Sequence, residues 1–460
     1  MTTAPAVSEP VGPKPEELRR VIGLWDAAAL VVGLIIGSGI FRAPSSVAQE
    51  LPTPFLMLAA WVIGGLLSLA GGLAAAEWGV RYPHSGGQYV FLRQAFGPSA
   101  SFAFGWSNVM ISKPSVLAGI ATVFATYVHA LLGMPPSSQK FLAMGAVLLF
   151  TFVNCLGVHS GTRTQNIFTA AKVVGLLALG VFALVSGNGS MAHFSQAAET
   201  TMKHPLAIAL GLGLVTILYT YDGWIDVTYC GGEVQRPGYT FPRAIVLGTL
   251  ACMALYLLCN VAYMYLLTPT EMAAHENIAG VALARAFGPT GNIVVSLLVV
   301  VSTLGILNGS ILTGVRVPYA MARDGLLPSA LGRVHPRTLS PVNALIVQGI
   351  FTCLIILVAS GFDQIASLFV STTWFFYAVC FAGLLVIQRR EKRTGVALGS
   401  SDTYRMPFSP WPAVFFIVVV LFAISCDLFL GGPQVLIGLG VIGAIGAGHW
   451  AARMLRHARS

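Results

Sequence analysis

Long apolar runs recur along this 460-residue chain and constrain its fold more than any other feature. Several of them exceed the roughly 18 apolar residues that identify a membrane-spanning helix. Charged residues make up 9% of the chain, against about 25% in a typical soluble domain. In lipid, backbone polar groups must be satisfied within the protein, so only helices and closed barrels cross a bilayer. Because the runs are continuous rather than alternating, we predict an all-α membrane protein.

We predict about twelve transmembrane helices, which are numbered here as spans 1 to 12. Their approximate bounds are 24–50, 54–80, 99–132, 139–158, 164–187, 203–234, 242–267, 289–322, 341–360, 363–388, 411–430 and 434–455. The polar, proline-rich residues 1–20 are predicted to form a disordered cytoplasmic tail. Residues 21–460 then form a single domain.

The net charge of +9 is explained by topology rather than by a nucleic-acid partner. With a cytoplasmic N-terminus, most Lys and Arg residues fall in cytoplasmic segments, which is the positive-inside bias. The densest group is Arg389, Arg390, Lys392, Arg393 and Arg405. We therefore predict a multi-pass protein of the cell membrane with both termini in the cytoplasm.

Two spans carry residues that weaken a helix in mid-membrane. In span 1 the triplet Gly37–Ser38–Gly39 interrupts the run "LVVGLIIGSGIFRAP", and glycine costs about 1 kcal/mol relative to alanine inside a helix. In span 6 the segment "LYTYDGWID", from Leu218 to Asp226, carries a similar interruption. One interpretation is close helix packing by small residues. The alternative is a ligand site at two broken helices.

A second pair of matching segments supports an internal repeat. The sequence Ala-Phe-Gly-Pro occurs at Ala95 and again at Ala286, 191 residues later, each time before a long span. The two glycine interruptions are 184 residues apart, measured from Ser38 to Asp222. Five spans separate the members of each pair, and an odd number reverses the topology. We predict an inverted repeat of residues 21–187 and 203–388, with two appended helices in 411–455.

Paired breaks of this kind suit a small zwitterion. A broken helix exposes backbone N–H groups at the start of its second half, and these attract an anion such as a carboxylate. The carbonyl groups that end the first half attract an ammonium group. Paired glycine-interrupted segments are the strongest sequence indication of a transporter's midplane site.

Several motifs resemble one family. "GLIIGSGIF", "AEWGVRYPHSGGQYVFLRQAFGP", "TYDGWIDVTYCGGEVQRPGYTFPRAI" and "YAMARDGLLP" are similar to segments of the amino acid–polyamine–organocation transporters, most of all the L-type amino acid transporter branch. The resemblance covers about residues 20–440. It implies a LeuT-type fold of five plus five helices with broken spans 1 and 6, and transport without a cofactor or a bound metal.

The resemblance also implies a substrate site. The substrate carboxylate would meet the N–H groups and hydroxyl of Ser38 and Gly39, and the ammonium would meet the carbonyls of Ile35, Tyr219 and Asp222. The Tyr219 ring would cap the substrate as a gate, with Trp374 as a second gate aromatic. The predicted substrate-binding residues are Ile35, Gly37, Ser38, Gly39, Ile40, Tyr219, Thr220, Asp222 and Trp224.

Lys172 is a charge about a third of the way into span 5, where insertion costs at least about 2.5–3.5 kcal/mol. One interpretation is a side chain that reaches the cytoplasmic face. The other follows from the resemblance: family members that work without sodium carry a lysine where sodium-coupled relatives bind the ion. Its ammonium would bridge carbonyls near Gly33–Gly37 to span 8 at Ser302 or Thr303, and would be the first candidate for proton coupling.

Other charges within the spans leave alternatives open. The L-type pattern has a glycine at the position of Asp222; this carboxylate would favour a cation or carry a proton, or it would cap the following half-helix. Asp226 is expected to face a polar cavity, and Lys113 to belong to a kink or helix-contact network.

We therefore predict a sodium-independent secondary transporter of neutral L-amino acids, working by alternating access as an exchanger or a proton-coupled carrier. Spans 1, 2, 6 and 7, here called the bundle, would rock against the remaining spans, the scaffold. The alternative is a proton-coupled carrier of a cationic amino acid, amine or polyamine. Animal L-type transporters attach to a partner through a cysteine between spans 3 and 4; the segment "LLGMPPSSQKF" has none, so no disulfide-linked subunit is expected. No pattern indicates an enzyme.

Overall fold

The computed structural model describes residues 18–197, 204–275, 277–358, 362–400, 404–430 and 440. This part of the chain is helical, joined by short turns. The α-helices are α1 (Leu24–Ile35), α2 (Ala43–Glu50), α3 (Pro54–Arg81), α4 (Gln88–Phe96), α5 (Pro98–Ser107), α6 (Lys113–Leu132), α7 (Ser138–Cys155), α8 (Val158–Val185), α9 (Leu206–Tyr221), α10 (Pro237–Leu266), α11 (Pro269–Ala274), α12 (Ile278–Phe287), α13 (Pro289–Gly314), α14 (Arg316–Arg323), α15 (Val342–Val358), α16 (Phe362–Thr394) and α17 (Trp411–Leu430).

Six of the described helical segments are long and apolar enough to cross a membrane: Pro54–Arg81, Pro98–Leu132, Ser138–Cys155, Val158–Val185, Pro237–Leu266 and Pro289–Arg323. Large apolar side chains on their outer faces, such as Phe141, Phe152 and Phe182, are exposed. Such a surface is unfavourable in water and matches a lipid environment. Apart from Gly440, predicted span 12 lies outside the described residues. In the predicted tail, Leu18 packs against Tyr319.

Span 1 is an interrupted helix. Its first half, α1, ends at Ile35, a 3₁₀ turn covers Gly39–Phe41, and α2 resumes at Ala43. The amides of Gly37, Ser38 and Gly39 make no helical backbone hydrogen bond, as expected where glycine and serine weaken a helix.

Span 6 is interrupted as well, but its second half differs from the prediction. The helix α9 ends at Tyr221, before the predicted end of span 6 at residue 234. Two 3₁₀ turns, Asp226–Tyr229 and Gly231–Glu233, replace the expected half-helix. Gly223 has a φ of 122°. This conformation favours glycine, and it turns the chain out of the helical path.

The two Ala-Phe-Gly-Pro segments have the same local structure. In each, a short helix ends at the phenylalanine, the glycine adopts a positive φ (87° at Gly97 and 66° at Gly288), and proline begins the next helix. Glycine tolerates this backbone without steric cost, and proline at the first helical position needs no N–H partner. The sequence echo is thus a repeated helix–corner–helix unit.

The interrupted spans lie at the centre of the molecule. α1 packs against α8, α10 and α13, and α9 packs against α2, α3 and α17. A separate buried cluster joins spans 3, 4, 8 and 9 through residues such as Leu117, Val147 and Leu345. Buried ion pairs join other elements: Arg316 hydrogen-bonds to both Glu233 carboxylate oxygens at 2.8 and 2.7 Å.

Candidate substrate site at the two helix breaks

The breaks of spans 1 and 6 cross in direct contact. A Cβ atom on Gly223 would lie 2.8 Å from the Leu34 carbonyl carbon, and one on Gly39 would lie 2.8 Å from the Thr220 side chain. These distances are shorter than real Cβ contacts, so each crossing point has room only for glycine. Glycine therefore interrupts the helices and also allows them to approach.

A cavity of about 120 Å³ lies beside this crossing. It is well below the roughly 300–1,000 Å³ of a drug-sized ligand pocket, so its size favours a small ligand. Spans 1, 3, 6, 8 and 10 contribute to its walls. Seven predicted site residues line it: Ile35, Gly37, Ser38, Gly39, Tyr219, Thr220 and Asp222.

Backbone N–H groups of the span 1 break are available to a ligand. Among the described residues, no hydrogen bond from the Ser38 or Gly39 amide to a protein acceptor is present. Both residues line the cavity and precede the 3₁₀ turn and α2. Both residues are partly exposed, so their amides are accessible from the cavity. The pair can therefore donate to an anionic group in the cavity.

The carbonyl groups at the end of α1 are partly occupied. The last carbonyls of a helix have no intrahelical donor. The Tyr256 hydroxyl of span 7 lies 2.8 Å from the Ile35 carbonyl and 3.1 Å from the Thr220 carbonyl. Because a hydroxyl has one proton and a carbonyl has two lone pairs, both carbonyls keep acceptor capacity. Tyr256 thus braces the two breaks against each other.

Lys172 binds the end of the same helix. Its ammonium donates to the Gly33 carbonyl at 2.7 Å and the Ile36 carbonyl at 2.9 Å. The side chain is 2% exposed, so it lies inside the protein rather than at the cytoplasmic face. Ser302 of span 8 donates to the Ile36 carbonyl at 3.0 Å. The Thr303 hydroxyl turns instead to carbonyls of its own helix.

Asp222 brings a carboxylate into the cavity wall. Its Oδ1 accepts a 2.7 Å hydrogen bond from the Tyr377 hydroxyl of span 10. The 3₁₀ turn that follows has Ile225 as its N-cap, so Asp222 does not cap it. Asp222 and Tyr377 both line the cavity, and they form a polar wall beside the breaks.

A second carboxylate lies four residues further along. Asp226 Oδ2 accepts from the Lys113 ammonium at 2.5 Å and from the Thr313 hydroxyl at 3.2 Å. Lys113 directly follows a π-helical turn, Asn108–Ser112, in span 3. Such turns are often found at functional sites. The expected polar surroundings of Asp226 and the expected helix-contact role of Lys113 meet in one ion pair.

Three of the predicted substrate-binding and gate residues lie outside the cavity wall. Ile40 is fully buried, and Trp224 packs on the Tyr377 ring with centroids 5.6 Å apart. Trp374 is 3% exposed, and its neighbour Phe376 lines the cavity.

The sequence identified the charged residues within the spans but not the residues that they contact. Lys113 and Asp226 are ionisable groups inside predicted spans, and this alone indicates that each needs a partner. Pairing them was not possible, because they are 113 residues apart. Tyr256 and Tyr377 carry no local signal, since a tyrosine in an apolar span is most simply interpreted as a packing residue.

Comparisons with known proteins identify the family. The family model "Amino acid permease" matches residues 22–438. The serine/threonine exchanger SteT of Bacillus subtilis (strain 168) is 31% identical over 92% of this chain and 95% of its own. The b(0,+)-type amino acid transporter 1 of Mus musculus is 34% identical, covering 82% of this chain and 78% of its own. The large neutral amino acids transporter small subunit 2 of Homo sapiens is 33% identical, covering 81% of this chain and 71% of its own.

A solved structure shares the fold. It is that of MHP1, a nucleobase-cation-symport-1 family transporter, in a closed conformation with bromovinylhydantoin bound. The TM-score is 0.58 at 14% identity, over 95% of this chain and 96% of that one. The likeness confirms the predicted all-helical, LeuT-like membrane fold. Since the family model and the relatives extend over most of the chain, this multi-pass membrane protein belongs to the amino acid permease family.

Proposed function

We propose that this protein is a sodium-independent secondary transporter of amino acids, most of all neutral L-amino acids, that works by alternating access. One observation carries the proposal: two unbonded backbone amides, at Ser38 and Gly39, line a small cavity between crossed helix breaks. Donors of this kind suit a carboxylate, which every free amino acid carries. The relatives, an exchanger of serine and threonine and two amino acid transporters, support the same class.

In this proposal the substrate binds as a zwitterion. Its carboxylate accepts from the Ser38 and Gly39 amides, and its ammonium lies against the remaining acceptor capacity of Ile35 and the carbonyls of Tyr219 and Asp222. Gly37 and Thr220 complete the inner wall. Tyr219 closes over the substrate. Ile40, Trp224 and Trp374 back this wall; Trp224 supports the ring of Tyr377.

We also propose the predicted architecture of twelve spans, with repeats at 21–187 and 203–388, appended helices at 411–455 and both termini in the cytoplasm. The matching corners at Gly97 and Gly288 support the repeat. The bundle rocks against the scaffold, and the site opens to each side in turn.

Sodium independence follows from Lys172. Its ammonium lies on the carbonyls of Gly33 and Ile36, with the Ser302 hydroxyl on the second of them. A bound cation would need the same oxygens. Since the tethered ammonium satisfies them, the protein needs no sodium ion to hold the break. If a proton is coupled to transport, Lys172 is the proposed carrier.

Uptake into proteoliposomes tests the proposal. Purified protein is reconstituted in sodium-free buffer, and uptake of radiolabelled serine, alanine and leucine is compared with and without unlabelled amino acid inside. We expect saturable uptake of at least one of them, unchanged by added sodium. Stimulation by internal substrate identifies an exchanger, and stimulation by an inward proton gradient identifies a proton-coupled carrier. Absence of uptake under all of these conditions contradicts the proposal.

Asp222 favours a second candidate, a proton-coupled carrier of cationic amino acids or amines. A carboxylate at the cavity attracts a positively charged substrate, and Tyr377 orients it. The variant Asp222→Asn separates the two. The second candidate requires loss of all transport, whereas the first expects neutral amino acids to be spared. Tyr377→Phe, which keeps the carboxylate, is the matched control.

A further inference from the structure

Among the described residues, three charged side chains line the cavity at the two breaks, and their charges do not cancel. They are Lys113, Asp222 and Asp226. Lys113 and Asp226 form a close ion pair, whereas Asp222 accepts a hydrogen bond from a neutral hydroxyl, that of Tyr377. With all three ionised, the lining carries one net negative charge.

The Lys113 ammonium is held in place from several sides. It donates to Asp226 Oδ2 at 2.5 Å and lies 5.8 Å from the centroid of the Tyr229 ring. Its aliphatic stem fills the space beside Gly314 of span 8, where a Cβ atom would lie 2.6 Å from it. The side chain is 9% exposed, so water screens the ion pair little. This lysine is therefore a fixed cation in the wall of the cavity.

Its charge also acts on Asp222. Asp222 and Asp226 are four residues apart, and both Asp226 and Lys113 interact electrostatically with the Asp222 carboxyl group. Removing one member of the pair changes the potential at Asp222 and throughout the cavity. Because the interior has a low effective dielectric constant, such a change is felt over several ångströms.

We propose that Lys113 is a specificity-determining residue: by neutralising Asp226 it leaves Asp222 as the one uncompensated carboxyl group in the described lining of the cavity and so sets the preference between neutral and cationic amino acids. This inference rests on the proposed function. Without Lys113 the cavity has two unbalanced carboxylates and prefers a cationic side chain. Without Asp226 the free ammonium balances Asp222, and the cavity prefers a neutral one.

A pair of nearly isosteric ligands measures this preference. L-ornithine and L-norleucine have side chains of the same length, ending in an ammonium and a methyl group. The ratio of their dissociation constants reports the charge preference with little contribution from size. The ratio is measured by competition binding on purified full-length protein for the wild type, Lys113→Gln, Asp226→Asn and the double variant, with Lys113→Arg as the charge-preserving control.

We expect Lys113→Gln to shift the ratio at least about tenfold towards ornithine and Asp226→Asn at least about tenfold towards norleucine. The double variant restores the wild-type ratio within about threefold, because Asp222 is again the one uncompensated carboxyl group in the described lining. Lys113→Arg leaves the ratio unchanged. If Lys113→Gln does not fold by itself, the comparison of Asp226→Asn with the double variant decides. Adding Lys113→Gln to Asp226→Asn is expected to return the ratio to its wild-type value.

Two results overturn the inference. A ratio that stays within threefold in every variant, or that moves in the same direction in both single variants, leaves the pair with a structural role only. In that case the wild type still binds amino acids, and the proposed function stands. A wild-type protein that binds neither these probes nor any other amino acid overturns both.

Discussion

The breaks of spans 1 and 6 are held by the same kinds of groups but against different acceptors. At span 1, Lys172 and the Ser302 hydroxyl meet on a backbone carbonyl, that of Ile36. At span 6, Lys113 meets a carboxylate, that of Asp226. The first break therefore holds a cation on dipoles alone, whereas the second holds a neutral ion pair.

Span 8 supplies the hydroxyl group at both breaks. Ser302 and Thr313 are eleven residues apart on one helix, which is close to three full turns and places them on the same face. One scaffold helix thus contacts both broken helices. The two breaks therefore use their lysines differently. At span 1 the lysine satisfies backbone carbonyl oxygens, whereas at span 6 we propose that it adjusts the charge of the cavity.

The largest expected effect is at span 1. Lys172→Ala removes two charge-assisted hydrogen bonds, each worth about 1.5–3 kcal/mol, and leaves the Gly33 carbonyl without its partner. We expect uptake to fall at least about a hundredfold, since each 1.4 kcal/mol is a factor of ten. Ser302→Ala is the matched control; it removes one neutral bond to the same Ile36 carbonyl and is expected to cost less than tenfold. Equal losses in both variants would remove the special role of the ammonium.

The crossing glycines rank next. Gly223→Ala places a Cβ against the Leu34 backbone at a φ of 122°, and neither backbone can yield cheaply. Gly39→Ala meets only the Thr220 side chain. We expect Gly223→Ala to lower the thermal unfolding temperature in detergent more than Gly39→Ala does. Gly97→Ala is the control, because Gly97 has a φ of 87° and open space around an added Cβ. Its loss of stability therefore measures backbone strain alone, which is about 1–3 kcal/mol.

A second outcome checks the same interpretation. Thr220→Ala removes the atoms that lie closest to a Cβ at position 39, so it is expected to rescue Gly39→Ala but not Gly223→Ala. Rescue of both variants, or of neither, would show that the two crossings do not differ in the way described.

The brace between the breaks has a smaller effect. Tyr256→Phe removes the hydroxyl between the Ile35 and Thr220 carbonyls and is expected to lower the free energy of unfolding by about 0.5–1.5 kcal/mol. Tyr263, two turns along the same span, has a buried hydroxyl with no hydrogen-bond partner among the described residues, so Tyr263→Phe is the matched control and should not destabilise. A greater loss in the control would contradict the brace.

The smallest effect extends the comparison to the corner that precedes span 8. There the Arg285 guanidinium hydrogen-bonds to Glu271 and lowers the pKa of that carboxyl from 4.5 to about 2. A carboxyl whose pKa is lower in the folded state stabilises the fold above its unfolded pKa, and this contribution is lost as the pH falls towards 2. Because the pair is about one-third exposed, its contribution is below about 1 kcal/mol.

Glu271→Gln keeps the oxygen that caps α11 and removes only the charge. The wild type should therefore unfold at a slightly higher temperature than the variant at pH 7, and the difference should shrink between pH 4.5 and pH 2. A difference that is independent of pH would assign the effect to the cap and not to the ion pair.

The sequence predicted what depends on local chemistry. Glycine in mid-span marked both breaks, and Gly-Pro marked both corners, because these residues change backbone preferences wherever they occur. The all-α membrane fold was predicted from the long apolar runs alone. The buried lysine at position 172 was recognisable because a charge in a span demands a partner.

What depends on distant side chains was not predictable. The second half of span 6 is two 3₁₀ turns rather than a half-helix, since tertiary contacts such as Asp226 with Lys113 override local preference. Trp224 and Trp374 do not line the cavity, whereas Phe376 and Tyr377 do. Which side chains of span 10 face the cavity depends on how that span is rotated, which an apolar run does not reveal.

The central claim is that the two breaks together bind an amino acid. The most direct measurement is an electron cryomicroscopy structure of the full-length protein with a transported amino acid bound. We predict density in the cavity at the crossing, with the substrate carboxylate within about 3.2 Å of the Ser38 and Gly39 amides. An amino acid bound elsewhere, or one with its carboxylate turned away from these amides, would contradict the account.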